Sequence, residues 1–68
     1  MIVELNGDRL ELADDASVSD AVGAAGADSG RRGVAVAVDG EVVPRSGWDE
    51  ARLTEGQTVE VVEAIQGG

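Results

Sequence analysis

The chain has 68 residues and no histidine, cysteine, lysine or tyrosine, and its five arginines stand against fourteen acidic residues for a formal charge of −9. A domain this short buries only about 60% of the surface its unfolded chain exposes and has no room to wall a deep cleft. Lacking most nucleophiles, proton shuttles and soft metal ligands, it reads as a module acted upon rather than an enzyme, with no metal site of its own. The negative charge repels phosphate backbones and anionic lipid, so no nucleic acid and no membrane surface is expected as a partner; a basic protein surface is. Met1 leads directly into an alternating pattern, without a charged segment and apolar stretch or a membrane-spanning run, so a cytoplasmic protein is expected. With no cysteine, it must be stable without disulfides.

Apolar and polar residues alternate from Val3 to Leu12, which is a two-strand pattern. A turn at Gly7-Asp8 would pair Asn6 with Arg9, Leu5 with Leu10 and Val3 with Leu12, placing the four apolar side chains on one face. Ser17 stands three residues before Asp20, a relative of the capping box, and Val18, Ala21, Val22 and Ala25 then draw one apolar stripe along a helix. Gly23 costs that helix about 1 kcal/mol relative to alanine, so it must lean on a sheet, and Gly26 is its expected stop. The segment from Ala27 to Gly33, with the Arg31-Arg32 pair, reads as a loop.

Val34 to Val38 form a short apolar run entering a tight turn at Asp39-Gly40, with Glu41 to Val43 as the return strand. Pro44 cannot donate to a ladder and should end that strand. Ser46 to Glu50 suit a short helical turn in which Trp48, the single aromatic residue, lies over one end of the core, followed inward by Leu53. Glu55-Gly56 is a turn, and Thr58 to Ile65 read as the last strand with Val59 and Val61 inward. A crossing helix between two hairpins, then a final strand long enough to pair with the first and parallel to it, is a compact α+β arrangement. One sheet face is covered by the helix and the other is open. Strand parity puts Ala35, Ala37 and Val62 together on the open face, an apolar patch suited to docking a partner.

Ile65, Gln66, Gly67 and Gly68 follow the last strand. A chain stopping there presents a bare carboxylate behind two glycines that put no side chain in the way of a narrow channel. Three extended residues reach about 10 Å, enough for an arm entering a partner's active site. The expected division is therefore a folded domain over 1–65 and a tail over 66–68.

Three stretches together, Met1-Ile2-Val3, Val43-Pro44-Arg45 with Trp48 following, and Ala64-Ile65-Gln66-Gly67-Gly68, carry a resemblance over essentially the whole chain. The sequence resembles the ubiquitin-like β-grasp sulfur carriers, most closely the thiamine-biosynthesis carriers of the ThiS family. The resemblance implies a five-stranded mixed sheet with one main helix and a short 3-10 turn. It also implies that a ThiF-type adenylyltransferase uses ATP and magnesium to activate the Gly68 carboxylate as an acyl-adenylate, the carrier itself binding no cofactor. A persulfide sulfur donor would then yield a thiocarboxylate for a ThiG-type thiazole synthase. Gly67 and Gly68 would fit the partner's channel, with Ile65 and Gln66 extending the tail along the partner as a strand. The patch of Ala35, Ala37 and Val62 would dock, the charge and small patch favour a monomer, and the carrier would be a cosubstrate. Carriers for molybdopterin, cysteine or tRNA thiolation share the same ending, as does a protein modifier conjugated through Gly68. A noncovalent interaction module with an incidental Gly-Gly ending is the reading from another class.

Overall fold

The computed structural model describes residues 1–26 and 33–63. Strands β1 (Ile2–Leu5) and β2 (Asp8–Glu11) form the first hairpin and the helix α1 (Val18–Ala24) follows. Strands β3 (Val34–Val38) and β4 (Glu41–Val43) form the second hairpin, a 3-10 turn covers Arg45–Gly47, and β5 (Thr58–Glu63) completes the order. The sheet runs β2-β1-β5-β3-β4. Its central strand β5 is parallel to β1 and antiparallel to β3, so the sheet is mixed as expected. Among the described residues no helix is long and apolar enough to cross a membrane.

Both hairpins turn through residues at positive φ. Asp39 and Gly40, at φ 50° and 84°, form the expected second turn and bring Ala37 opposite Val42. The first turn is Asn6-Gly7, at φ 50° and 87°, instead of Gly7-Asp8. A two-residue turn of this kind needs both central residues left-handed, and asparagine followed by glycine tolerates that best. Val3 is consequently opposite Leu10, and Leu5 opposite Asp8. The register differs from the expected one by two residues, an even step that keeps side chains on their faces. Val3 and Leu5 remain buried, and Leu10 and Leu12 pack against the core as partly buried residues.

The seven-residue helix α1 is too short to stand alone in water. Its start carries a capping box: the Asp20 carboxylate accepts from the Ser17 backbone N–H at 2.9 Å, while the Ser17 hydroxyl accepts from the Asp20 N–H at 3.4 Å. Tertiary bonds then tie this end down. Val18 N–H donates to the Ala51 carbonyl at 2.9 Å, Ser19 N–H to Trp48 at 3.2 Å, and Leu53 N–H to Ala16 at 2.9 Å. Ser19 also donates its hydroxyl hydrogen bond to Asp49. Val18, Ala21 and Val22 are buried. Ala25, expected to extend the stripe, is the exposed C-cap, because the helix stops there and Gly26 takes the left-handed C′ position at φ 78°.

The core consists of Val3, Leu5, Val18, Ala21, Val22, Val36, Trp48, Leu53, Val59 and Val61. Trp48 caps it at 3% exposure, and its indole N–H donates to the Val43 carbonyl at 2.8 Å. Pro44 ends β4 as expected and precedes the 3-10 turn, which begins one residue earlier than the expected helical turn. Arg45 on that turn holds its guanidinium 5.5 Å from the Trp48 ring centroid.

At the start of the chain the Met1 ammonium donates to the Leu12 carbonyl at 2.8 Å and to Asp14 at 3.0 Å. The hydrogen bond to Asp14 chiefly raises the amine's pKa above its ordinary 8.0; desolvation opposes this, and the charges of Asp14, Glu55 and Glu11 add to it. A raised folded value means the stabilisation is complete below the unfolded value and disappears as pH climbs through the folded one. With no histidine, cysteine, tyrosine or lysine in the chain, this amine alone titrates between neutrality and the arginine range. Thermal melts should therefore be flat just above neutrality and decline at alkaline pH beyond 8.0. Asp14→Asn should flatten that decline, and an equal alkaline loss in wild type and variant would contradict the assignment.

Candidate functional site

The sheet face away from α1 is assembled by parity. Ala35 lies opposite Val62, and Ala37 lies between Glu60 on β5 and Val42 on β4. Ala35 and Val62 are exposed and Ala37 is half-buried. Together with Val36, Val42 and Glu60 they line a shallow groove of about 320 Å³. Val42 and Val62 are the large apolar side chains this face gives to solvent, at 74% and 57% exposure. The two alanines between them keep the β3 surface low, so a partner's side chains can approach the backbone closely.

The three sequence-predicted face residues thus lie together, and Val42 is a fourth member that the sequence-based expectation does not include. Its signal is present in the sequence: a turn at Asp39-Gly40 already requires Val42 to lie opposite Ala37. Across β5 the same face turns polar. Thr58 is beside Glu4, and Glu4 is opposite Arg9. One half of the open face is therefore apolar, with the Glu60 carboxylate at its margin, and the other half carries charge.

The groove shares one end of the sheet with the end of β5. Val62 is the second-last residue of that strand, and Glu63, the last, is opposite Val34. The described part of β5 therefore ends at the margin of this groove. The sequence-predicted tail residues Ile65, Gln66, Gly67 and Gly68 lie outside the described residues, as do the division between 65 and 66 and the Arg31-Arg32 pair.

A second feature of this strand end has no counterpart in the sequence-based expectation. The β1 backbone leaves the sheet at Asn6, where the hairpin turns. Its N–H still donates to the Val59 carbonyl at 2.9 Å. Beyond that point the Asn6 side-chain amide takes over: Oδ1 accepts from the Val61 N–H at 2.8 Å and Nδ2 donates to the Val61 carbonyl at 3.2 Å. A carboxamide has the donor and acceptor of a peptide group, so the parallel ladder gains one more rung without backbone.

A helix crossing one face of a five-stranded mixed sheet, with the first and last strands parallel at its centre, defines a ubiquitin-like β-grasp domain. The family model of the ThiS family matches residues 2–68, and the chain belongs to that family. Among solved structures, the chain is similar to the crystal structure of the thiamine biosynthesis protein ThiS from Geobacter metallireducens. That match has 26% identity and a TM-score of 0.77, and it covers 100% of both chains. The solution NMR structure of a thiamine biosynthesis protein from the same organism matches with 26% identity and a TM-score of 0.79, covering 100% of this chain and 88% of that one. The comparison with curated proteins returns no match.

Proposed function

We propose that this chain carries sulfur into the thiazole ring of thiamine on its Gly68 carboxylate. Membership of the ThiS family supports a sulfur-carrier role in thiamine biosynthesis, and the single observation that carries the reading is the family match through to residue 68, which takes in the Gly67-Gly68 ending. A carboxylate resists nucleophiles and must first be activated. In a ThiF-type adenylyltransferase, with ATP and magnesium, the Gly68 carboxylate attacks the α-phosphate and pyrophosphate leaves. The terminal sulfur of a persulfide donor attacks the acyl carbon, and AMP leaves. A thiol reductant cleaves the resulting acyl disulfide to give the thiocarboxylate. A ThiG-type thiazole synthase receives that sulfur, and the carrier returns with its carboxylate.

The folded part contributes a place to dock. The apolar half of the open face supplies contact area beside the point from which the last residues depart, while the acidic chain favours a basic partner surface. Val62→Asp should weaken binding to the adenylyltransferase about 10- to 100-fold, because it places an unpaired carboxylate inside an apolar contact. The fold should tolerate it within about 1 kcal/mol, since Val62 is exposed. Unchanged affinity by calorimetry would move the docking site to another face.

The test of the function is the intact mass of the protein recovered from its cell, before and after a thiol-directed alkylating reagent. The chain has no cysteine, so alkylation confined to its C-terminal peptide reports a thiocarboxylate. The expected species shows one oxygen exchanged for sulfur. Its absence after incubation with ATP, the adenylyltransferase and a persulfide source would overturn the reading.

A further inference from the structure

We infer that Asn6 is a positioning residue for the proposed sulfur transfer: its side chain holds the end of β5 and so sets where the last residues of the chain begin. The inference rests on the reading of Gly68 as the reacting end, and its structural half stands without it.

The peptide groups of β5 that face β1 belong to alternate residues. Glu4 N–H donates to Gln57 and Asn6 N–H to Val59, each at 2.9 Å. Val61 is next on that side, and there β1 has already turned away through the left-handed φ of Asn6. Without a substitute, the N–H and carbonyl of Val61 would face an edge with no strand beside it. Asn6 supplies both partners from one side chain, at 2.8 Å and 3.2 Å. On the other side β3 runs alongside with Val36 opposite Val61, but the polar backbone groups of Val61 point away from it, toward Asn6. Asn6 is thus the partner of both backbone polar groups of Val61, immediately before Val62 on the open face.

One residue meets two demands here. The turn requires a left-handed conformation, which asparagine and glycine adopt readily, and the ladder requires a donor and an acceptor, which only asparagine of the two possesses. Glycine at this position satisfies the turn alone. Aspartate satisfies the turn and accepts from the Val61 N–H, but its carboxylate turns an acceptor toward the Val61 carbonyl. These two substitutions separate the hairpin from the clamp.

The experiment uses the full chain as wild type, Asn6→Gly and Asn6→Asp, at a temperature where circular dichroism shows each fully folded. Amide exchange followed by NMR should speed up about tenfold or more at Val61 in Asn6→Gly, with Val36 and Val59 within about threefold of wild type. In Asn6→Asp the Val61 amide should stay closer to wild type, because its acceptor is retained. Adenylation by the ThiF-type partner should show kcat lowered about tenfold in Asn6→Gly, with KM for the carrier within about twofold, since positioning suffers and docking does not. Asn6→Asp should fall between the two, and it decides the matter by kcat alone if Asn6→Gly does not fold. Exchange accelerated uniformly over β1, β3 and β5 would show that Asn6 merely adds stability and would overturn the inference. So would an unchanged kcat in a folded variant whose Val61 amide is released. Wild-type chain that is not adenylated at all would instead sink the sulfur-carrier reading, and the exchange rate at Val61 would then decide for or against the clamp by itself.

Discussion

Trp48→Ala should leave the chain largely unfolded near 37 °C. The indole is the only aromatic group in the chain, closes one end of the core at 3% exposure, and holds the Val43 carbonyl through its N–H at 2.8 Å. Truncating a buried tryptophan to alanine costs about 3–5 kcal/mol. A chain of 68 residues has a total stability of about 3–10 kcal/mol, so the loss is a large share of the whole. The melting temperature should drop about 15–30 °C, read by circular dichroism because the variant has no indole to fluoresce. Trp48→Phe keeps most of the volume and loses the hydrogen bond, so it should fall between. Because Trp48 packs on the helix side of the sheet, folded Trp48→Phe should bind the proposed adenylyltransferase partner with wild-type affinity. A Trp48→Ala chain melting within a few degrees of wild type would mean that the helix and the 48–53 segment close the core without the ring.

Gly67→Val should reduce adenylation at least about a hundredfold while leaving the melt within about 0.5 kcal/mol of wild type. The described core draws its residues from Val3 to Val61, so the substitution falls outside it. In the proposed mechanism a β-branched side chain next to the Gly68 carboxylate widens the chain where a narrow channel would admit it, and it restricts backbone angles that glycine leaves open. Gly67→Ala should retain more activity than Gly67→Val, since it adds one methyl group. Single-turnover acyl-adenylate formation measures both. Equal rates for all three chains would remove the narrow channel from the proposed mechanism, and loss of binding without loss of rate would move the effect of Gly67 to docking.

Features of the fold that depend on neighbours in sequence are legible in the sequence alone. Ser17 and Asp20 announce the helix start, Gly26 its stop, and Asp39-Gly40 the second hairpin with its register. The open-face positions of Ala35, Ala37 and Val62 follow from counting by two along strands. The first hairpin turn is ambiguous because Asn6-Gly7 and Gly7-Asp8 are adjacent and both contain turn residues. Choosing the wrong pair leaves the faces intact because the two registers differ by an even step. Val42 is fixed by the same parity, but β4 is only three residues long and gives little pattern to draw attention to it. Asn6 is not legible as a clamp: its partner Val61 is 55 residues away, and a carboxamide completing a ladder leaves no local pattern. Ala25 fits the helical stripe yet lies exposed, because a stripe does not announce which turn is the last.

The position of β5 at the centre of the sheet also governs the order in which the molecule can come into being. The hairpin β1-β2 and the pair β3-β4 have no direct contact in the sheet order, and β5 joins them. Its partners on β1 lie more than fifty residues earlier, so that union waits for closure of nearly the entire chain. A ribosome making the protein from Met1 onward releases both halves before the strand that unites them. The open face, with Ala35 and Val42 on one half and Val62 on the late strand, therefore does not exist on a nascent chain. If the proposed docking uses this face, a partner meets it only on finished molecules, and a chain shortened before β5 lacks the Val62 half of it.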